Sequence, residues 1–137
     1  MKRNILTVIA FGVALLAVVV PAMAHHSFSA EFDRNQRAEF RGYVTKVEWT
    51  NPHVWFYLSV PDAKTGKSTI WGFEMGPPHG LQAGGWTRET MKLGDEIIVT
   101  ATKAKNGSNK ANASTVILAK TGKKMGAASS EGDAATQ

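Results

Sequence analysis

The chain has 137 residues, a formal net charge of +5 and no cysteine. Without cysteine it has no disulfide, thiolate metal site or thiol redox chemistry. The length allows one small domain, and the modest positive charge gives no case for nucleic acid as a partner.

The first 24 residues are typical of a secretory signal peptide. Two basic residues precede an apolar run from Ile5 to Val20, and Ala22 and Ala24 supply the small residues of a cleavage site. Cleavage after Ala24 removes 2 of the 16 basic residues, which leaves 14 against 11 acidic ones, and starts the mature chain at His25. We expect an exported, periplasmic protein with no membrane segment after signal removal, whereas an uncleaved signal would remain as a membrane anchor.

Three strands are predicted in the first half of the mature chain. The first covers Glu39–Trp49, and Gly42 within it indicates a bulge or a sharp bend. A second, strongly β-prone run covers His53–Val60 and a third covers Ser68–Met75. The loop between them, Pro61–Gly66, has hairpin composition.

The second half is predicted to hold one short helix and two more strands. A loop begins at Gly76, and Thr87 resembles a helix N-cap, which predicts a helix over Thr87–Met91. Strands follow at Asp95–Lys103 and Ala111–Leu118, joined by a tight turn. From Thr121 to Gln137 the composition is small, polar and charged, which predicts a disordered tail.

The predicted fold class is all-β: a small five-stranded OB-like barrel with one short helix. The order β-β-β-α-β-β is that of the OB-fold, although strand propensity alone also fits another small barrel or a sandwich. The domain organisation is a signal peptide over 1–24, the barrel domain over 25–120 and the tail over 121–137.

Four histidines are the candidate metal ligands: His25, His26, His53 and His79. A hairpin centred on the loop after the second strand places His53 opposite the neighbourhood of Met75, and His79 follows four residues later. These two histidines are therefore predicted to share one rim of the barrel, whereas the position of the amino-terminal arm is left open.

A mature amino-terminal His25 offers both its amine and its imidazole to one metal ion. A second imidazole, from His53 or His79, would complete a three-nitrogen site, and such sites suit Cu(II) best among divalent first-row ions. Cleavage one or two residues earlier also leaves a histidine placed to bind copper. The alternative is that all four histidines are solvated or structural residues.

Aromatic residues suggest a second binding surface. A stacking platform of the kind that OB-folds use for bases or sugars is one interpretation, and packing in or against the core is the other. The residues concerned are Trp49, Trp55, Tyr57, Trp71 and Trp86. Glu48 and Glu74 could in principle pair near the rim, but carboxylates at strand ends are usually solvated. No catalytic motif is found, and we expect no enzymatic activity.

Several motifs resemble those of a family of small, secreted bacterial proteins of unknown function. They are His25-His26-Ser27-Phe28, Thr50-Asn51-Pro52-His53, Phe73-Glu74-Met75-Gly76, Gly85-Trp86-Thr87 and Leu93-Gly94-Asp95-Glu96. The resemblance covers about His25–Leu118 and implies an exported OB-like barrel, but it implies no activity and no catalytic residues.

The sequence thus predicts an exported β-barrel binding protein with copper as its candidate cofactor. The alternative function is a periplasmic module that binds an unknown small ligand or protein through Trp55, Tyr57 or Trp71, with no metal.

Overall fold

The computed structural model describes residues 28–128. The predicted signal peptide, His25 and His26 lie outside these residues, as does the chain after residue 128. The elements are, in order, α1 (Phe28–Glu31), β1 (Phe32–Glu48), β2 (Trp55–Pro61), β3 (Ser68–Glu74), α2 (Pro78–Ala83), β4 (Glu96–Ala104), β5 (Lys110–Leu118) and β6 (Lys123–Gly126).

Five of the strands form a closed ring of hydrogen-bonded neighbours. The sheet order is β3-β2-β1-β4-β5-β6, and β3 also pairs with β5. This last pairing is parallel, from Gly72 beside Lys110 to Glu74 beside Asn112. The other pairings are antiparallel. The expected all-β class is confirmed, but the described chain holds six strands rather than five, because β6 is added to β5.

The long strand β1 belongs to both sides of the ring, because it pairs with β4 along its first part and with β2 along its last part. Gly42 lies at the change of partner, where a Cβ atom would come within 2.5 Å of the Ser59 carbonyl oxygen. The register with β2 shifts between Val44 and Lys46. β1 starts seven residues before the predicted Glu39.

The core lies inside the ring. The alternation along β2 turns Phe56 and Leu58 inward, and Phe73 of β3 stacks on Phe56 with ring centroids 5.0 Å apart. The largest fully buried side chains are Phe56, Phe73, Leu58, Met75, Ile97, Val54, Val99 and Val116. A separate small cluster of Phe28, Phe32 and Ala104 packs α1 against the end of β4.

The predicted helix at Thr87–Met91 is wrong. This segment is a turn in which the Thr87 hydroxyl accepts a hydrogen bond from the Glu89 amide and the Thr87 amide donates to the Thr90 hydroxyl. Hydrogen bonds from threonine side chains to the main chain compete with the main-chain hydrogen bonds of a helix. The sequence pattern that predicted a helix N-cap therefore forms a turn instead. The helix of this connection is α2, where Pro78 stands in the first turn and Leu81 is buried.

The prediction of a disordered tail from Thr121 is wrong for its first residues. β6 pairs with β5 from Lys123 beside Leu118 to Gly126 beside Thr115. Met125 is 6% exposed and Ala127 is fully buried. This short segment therefore adds buried apolar surface, although its small, polar and charged composition predicted disorder. Within the described residues, no helix has the length and apolar character needed to cross a membrane.

Candidate functional site

The outer surface of β2 and β3 carries two aromatic side chains over a glycine. Alternation along β2 turns Trp55 and Tyr57 away from the core, and Tyr57 pairs with Gly72 of β3. A Cβ atom on Gly72 would lie 3.1 Å from Tyr57 Cε1 and 3.8 Å from Trp55 Cε3. Both rings therefore lean over Gly72, and we call this surface, formed by Trp55, Tyr57 and Gly72, the outer aromatic face.

Charged groups border the outer aromatic face. The Lys110 ammonium lies 5.8 Å from the Trp55 ring centroid, and the Lys46 ammonium lies 5.3 Å from that of Tyr57. The Tyr57 hydroxyl donates to Glu48 over 3.0 Å, and Lys46 forms an ion pair with the same carboxylate. The hydrogen bonds from Lys46 and then Tyr57 lower the pKa of Glu48, whereas burial and then Glu48 raise the pKa of Tyr57.

His53 meets a buried carboxylate at one end of this face. Its Nδ1 atom contacts Oε1 of Glu74, the last residue of β3, in a pair that we call the His53–Glu74 pair. Glu74 is only 7% exposed, whereas the His53 side chain is 34% exposed. The carboxylate thus lies beneath the imidazole, and part of the ring faces solvent.

Main-chain hydrogen bonds hold both members of this pair. Val54 donates to the Gly76 carbonyl over 3.1 Å, and Met75 donates to the Val54 carbonyl over 2.8 Å. These bonds extend the β2–β3 pairing past its last ladder residues up to His53. The preceding loop contains a cis peptide bond between Asn51 and Pro52. The position of His53 relative to Glu74 is therefore set by sheet pairing.

His79 lies apart from the His53–Glu74 pair. It is an exposed residue of α2 and lines a shallow cleft of about 400 Å³ with Pro77, Leu81 and Gly126. Over residues 28–128, no three His, Asp or Glu side chains come together in a group that could hold a metal ion. The His53–Glu74 pair is not such a group by itself, and His25 and His26 lie outside the described residues.

The described chain begins beside the turn between β4 and β5. The Lys105 amide donates to the Glu31 carbonyl over 2.9 Å, and the Lys105 ammonium donates to the Ser29 carbonyl. Lys105 starts the short turn that leads into β5, and Lys110 at its end lies over Trp55. α1 is therefore held next to the turn that borders the outer aromatic face.

The other aromatic candidates do not form part of a platform. Trp86 is 2% exposed, and its indole N–H donates to the Gly126 carbonyl over 2.7 Å. Trp71 packs on Phe40 with ring centroids 4.6 Å apart, and Trp49 packs against the core. The predicted five-residue platform is thus reduced to Trp55 and Tyr57.

Glu74 is the residue that sequence reasoning undervalued. Its position at a strand end predicted solvent exposure, yet it is buried and in contact with His53. The predicted hairpin register placed His53 opposite Met75, and the observed register pairs Trp55 with Glu74. The predicted register therefore differs from the observed one by a single residue. Because side chains at diagonal positions on paired strands lie on the same face of the sheet, the register could have indicated that Glu74 and His53 are neighbours.

A comparison with protein families matches residues 13–114 to a family of unknown function, DUF6152. The chain belongs to the DUF6152 family. This agrees with the expected resemblance to an uncharacterised family, whereas its secretion stays a prediction. Among curated proteins and among solved structures, no significant match to the chain is found.

Proposed function

We propose that this DUF6152 protein is an exported, OB-like barrel that binds Cu(II) through His25 and His53. The ring of five strands, closed by the parallel pairing of β3 and β5, supports the barrel assignment. The proposed role is binding rather than catalysis. The observation that carries it is the His53–Glu74 pair, a solvent-facing imidazole held by a buried carboxylate.

Such a pair favours metal binding for a physical reason. Metal-bound imidazoles almost always hydrogen bond through their second ring nitrogen to a carboxylate or carbonyl, which fixes the ring and raises its basicity. His53 already has this partner. His79 shows no comparable arrangement, which supports His53 as the third ligand of the proposed site.

His25 supplies the remaining nitrogens in the proposed site. Its amine and imidazole chelate one ion, and His53 adds a third nitrogen, a donor set that suits Cu(II). His25 precedes Phe28 by three residues, which span at most about 10 Å when extended. α1 is held by Lys105 at the turn between β4 and β5, and the proposal requires the arm to reach from there to His53.

Copper titration of exported, correctly processed protein tests this proposal. His25→Ala and His53→Ala should each weaken Cu(II) binding strongly, and one extra residue before His25 should weaken it as much as His25→Ala does. His26→Ala and His79→Ala are the matched controls and should bind like the wild type. Affinity should also fall below about pH 6, because imidazoles become protonated.

Two results would contradict the proposal. Equal copper affinity in the His25→Ala, His53→Ala and control proteins would show that these histidines are not ligands. Amino-terminal sequencing that finds Met1 on the exported protein would remove the terminal amine from His25 and with it the chelate.

A second candidate function is supported by the outer aromatic face. Two partly buried rings lie next to Gly72, where no side chain separates them from the sheet, and Lys46, Glu48 and Lys110 provide donors and acceptors near them. This arrangement suits a ring-shaped polar ligand such as a sugar, which stacks on aromatic faces.

Titration with a chito-oligosaccharide, followed by tryptophan fluorescence, tests this second candidate. Trp55→Ala should abolish a saturable signal, while Trp71→Ala changes a side chain that packs on Phe40 and serves as the control. Binding by this face would be indifferent to a chelator and to His25→Ala. Saturable binding that survives Trp55→Ala would exclude the outer aromatic face.

A further inference from the structure

The contact between His53 Nδ1 and Glu74 Oε1 has a consequence for the second ring nitrogen. A neutral imidazole carries one proton, either on Nδ1 or on Nε2, and an ionised carboxylate can only accept a hydrogen bond. If the carboxylate is the acceptor, the proton lies on Nδ1. The lone pair of Nε2 is then left for a ligand.

We infer that Glu74 is a positioning residue that holds neutral His53 in the Nδ1–H tautomer and thereby makes Nε2 the metal-donor atom. The choice of donor atom rests on the proposed copper binding. The choice of tautomer rests instead on Glu74 being ionised, and it can be measured in the metal-free protein.

The sheet makes the contact between the two side chains rigid. Glu74 is paired with Trp55 in the β2–β3 ladder, and Val54 exchanges main-chain hydrogen bonds with Met75 and Gly76. His53 and Glu74 thus lie on neighbouring, hydrogen-bonded segments. Since Glu74 is 7% exposed, water has little access to replace His53 as its partner.

Burial also strengthens the preference for one tautomer. A hydrogen bond to an ionised carboxylate is about twice as strong as one between neutral groups, and it gains further where water is scarce. Turning the ring so that Nδ1 presents a lone pair to Glu74 would set two acceptors against each other. The Nδ1–H tautomer avoids this repulsion.

Glu48 provides a matched control on the same surface. It ends β1, in register with Trp55, just as Glu74 ends β3 in register with the same residue. Its carboxylate is occupied by Lys46 and by the Tyr57 hydroxyl. A Glu48→Leu variant therefore removes a nearby negative charge of the same kind without touching the acceptor of His53.

The test measures the imidazole nitrogen shifts of His53 by ¹⁵N NMR in metal-free protein, at a pH at which His53 is neutral. We expect a protonated Nδ1 and an unprotonated Nε2 in the wild type and in Glu48→Leu, and loss of this preference in Glu74→Leu. The wild-type spectrum is decisive by itself, even if Glu74→Leu fails to fold. A wild-type His53 with its proton on Nε2 would overturn the inference, whether or not copper binds.

Cu(II) affinity, measured by competition with a chelator, tests the second part of the inference, that Glu74 prepares Nε2 of His53 as the metal-donor atom. Glu74→Leu should bind about 10–100-fold more weakly than wild type, which is the usual cost of losing an outer-shell partner, and Glu48→Leu should bind as the wild type does. Equal affinity in Glu74→Leu and wild type would overturn the positioning role and leave copper binding intact. A wild-type protein without copper affinity would refute the proposed function and the role of Nε2 as a metal donor. The ¹⁵N shifts would still decide which tautomer His53 adopts.

Discussion

Replacing Gly42 by alanine should weaken the ring where β1 passes from β4 to β2. An alanine Cβ atom would lie 2.5 Å from the Ser59 carbonyl oxygen and 3.2 Å from Val60 Cα. Cβ atoms essentially never approach another heavy atom to less than 3.0 Å. The substitution therefore forces β1 and β2 apart by about 0.5 Å at this point, next to the paired residues Tyr43 and Ser59.

The expected cost follows from the nature of the contact. The opposing atoms belong to the main chain of a paired strand, so no change of rotamer relieves the overlap. Overpacking of this kind costs about 1–3 kcal/mol, and the lower entropy of the unfolded alanine chain offsets about 0.4–1 kcal/mol. We expect a net loss of about 1–2 kcal/mol in the free energy of unfolding, with a fall in Tm of about 4–8 °C per kcal/mol.

Urea unfolding and thermal melting of Gly42→Ala against wild type provide the measurement. Gly126→Ala is the control, since that glycine has no heavy atom within 4 Å of its added Cβ and no positive φ. The control should unfold at the wild-type midpoint or slightly above it. If Gly42→Ala and Gly126→Ala were equally stable, the close approach of β1 to Ser59 would not be a constraint on the fold, and the reasoning would fail.

Three further predictions concern the core, the last strand and acid stability. Phe56→Ala should lower the free energy of unfolding by about 3–5 kcal/mol, measured by urea titration, because this side chain is fully buried. Met125→Ala should cost about 2–5 kcal/mol in the same assay, whereas a disordered tail predicts no change. The pKa of Glu48 is lowered, first by Lys46 and then by Tyr57, so its contribution is present above the unfolded value of about 4.5 and is lost as the pH falls through the folded pKa. Melts should accordingly show Glu48→Gln below wild type at neutral pH, with the difference shrinking as the pH falls below about 4.5.

Much of the ring could be predicted from local patterns. Alternating β-branched and aromatic residues marked β2 and β3, and the Pro61–Gly66 loop set their register to within one residue, because a short hairpin allows few pairings. The bend at Gly42 was also expected, and the structure shows the close approach to Ser59 that requires a glycine there.

Two features depended on partners that are distant in sequence. β6 has little strand propensity of its own, but Met125 enters the core and its main chain pairs with β5. The helix forms at Pro78–Ala83 rather than at Thr87–Met91, because Leu81 is buried there and the threonine hydroxyls bond to their own turn. The burial of Met125 and of Leu81 is not visible in a window of neighbouring residues.

The candidate site shows the same division. Composition and spacing alone identified His53 as a candidate ligand and Trp55 and Tyr57 as candidate surface aromatics. The burial of Glu74 beneath His53, and the inward packing of Trp71 on Phe40, came only from the tertiary structure. The alternation along a strand indicates which residues share a face of the sheet. The closure of the ring decides which part of each face is accessible to water. Solvent access in turn determines the chemistry of a carboxylate or an imidazole.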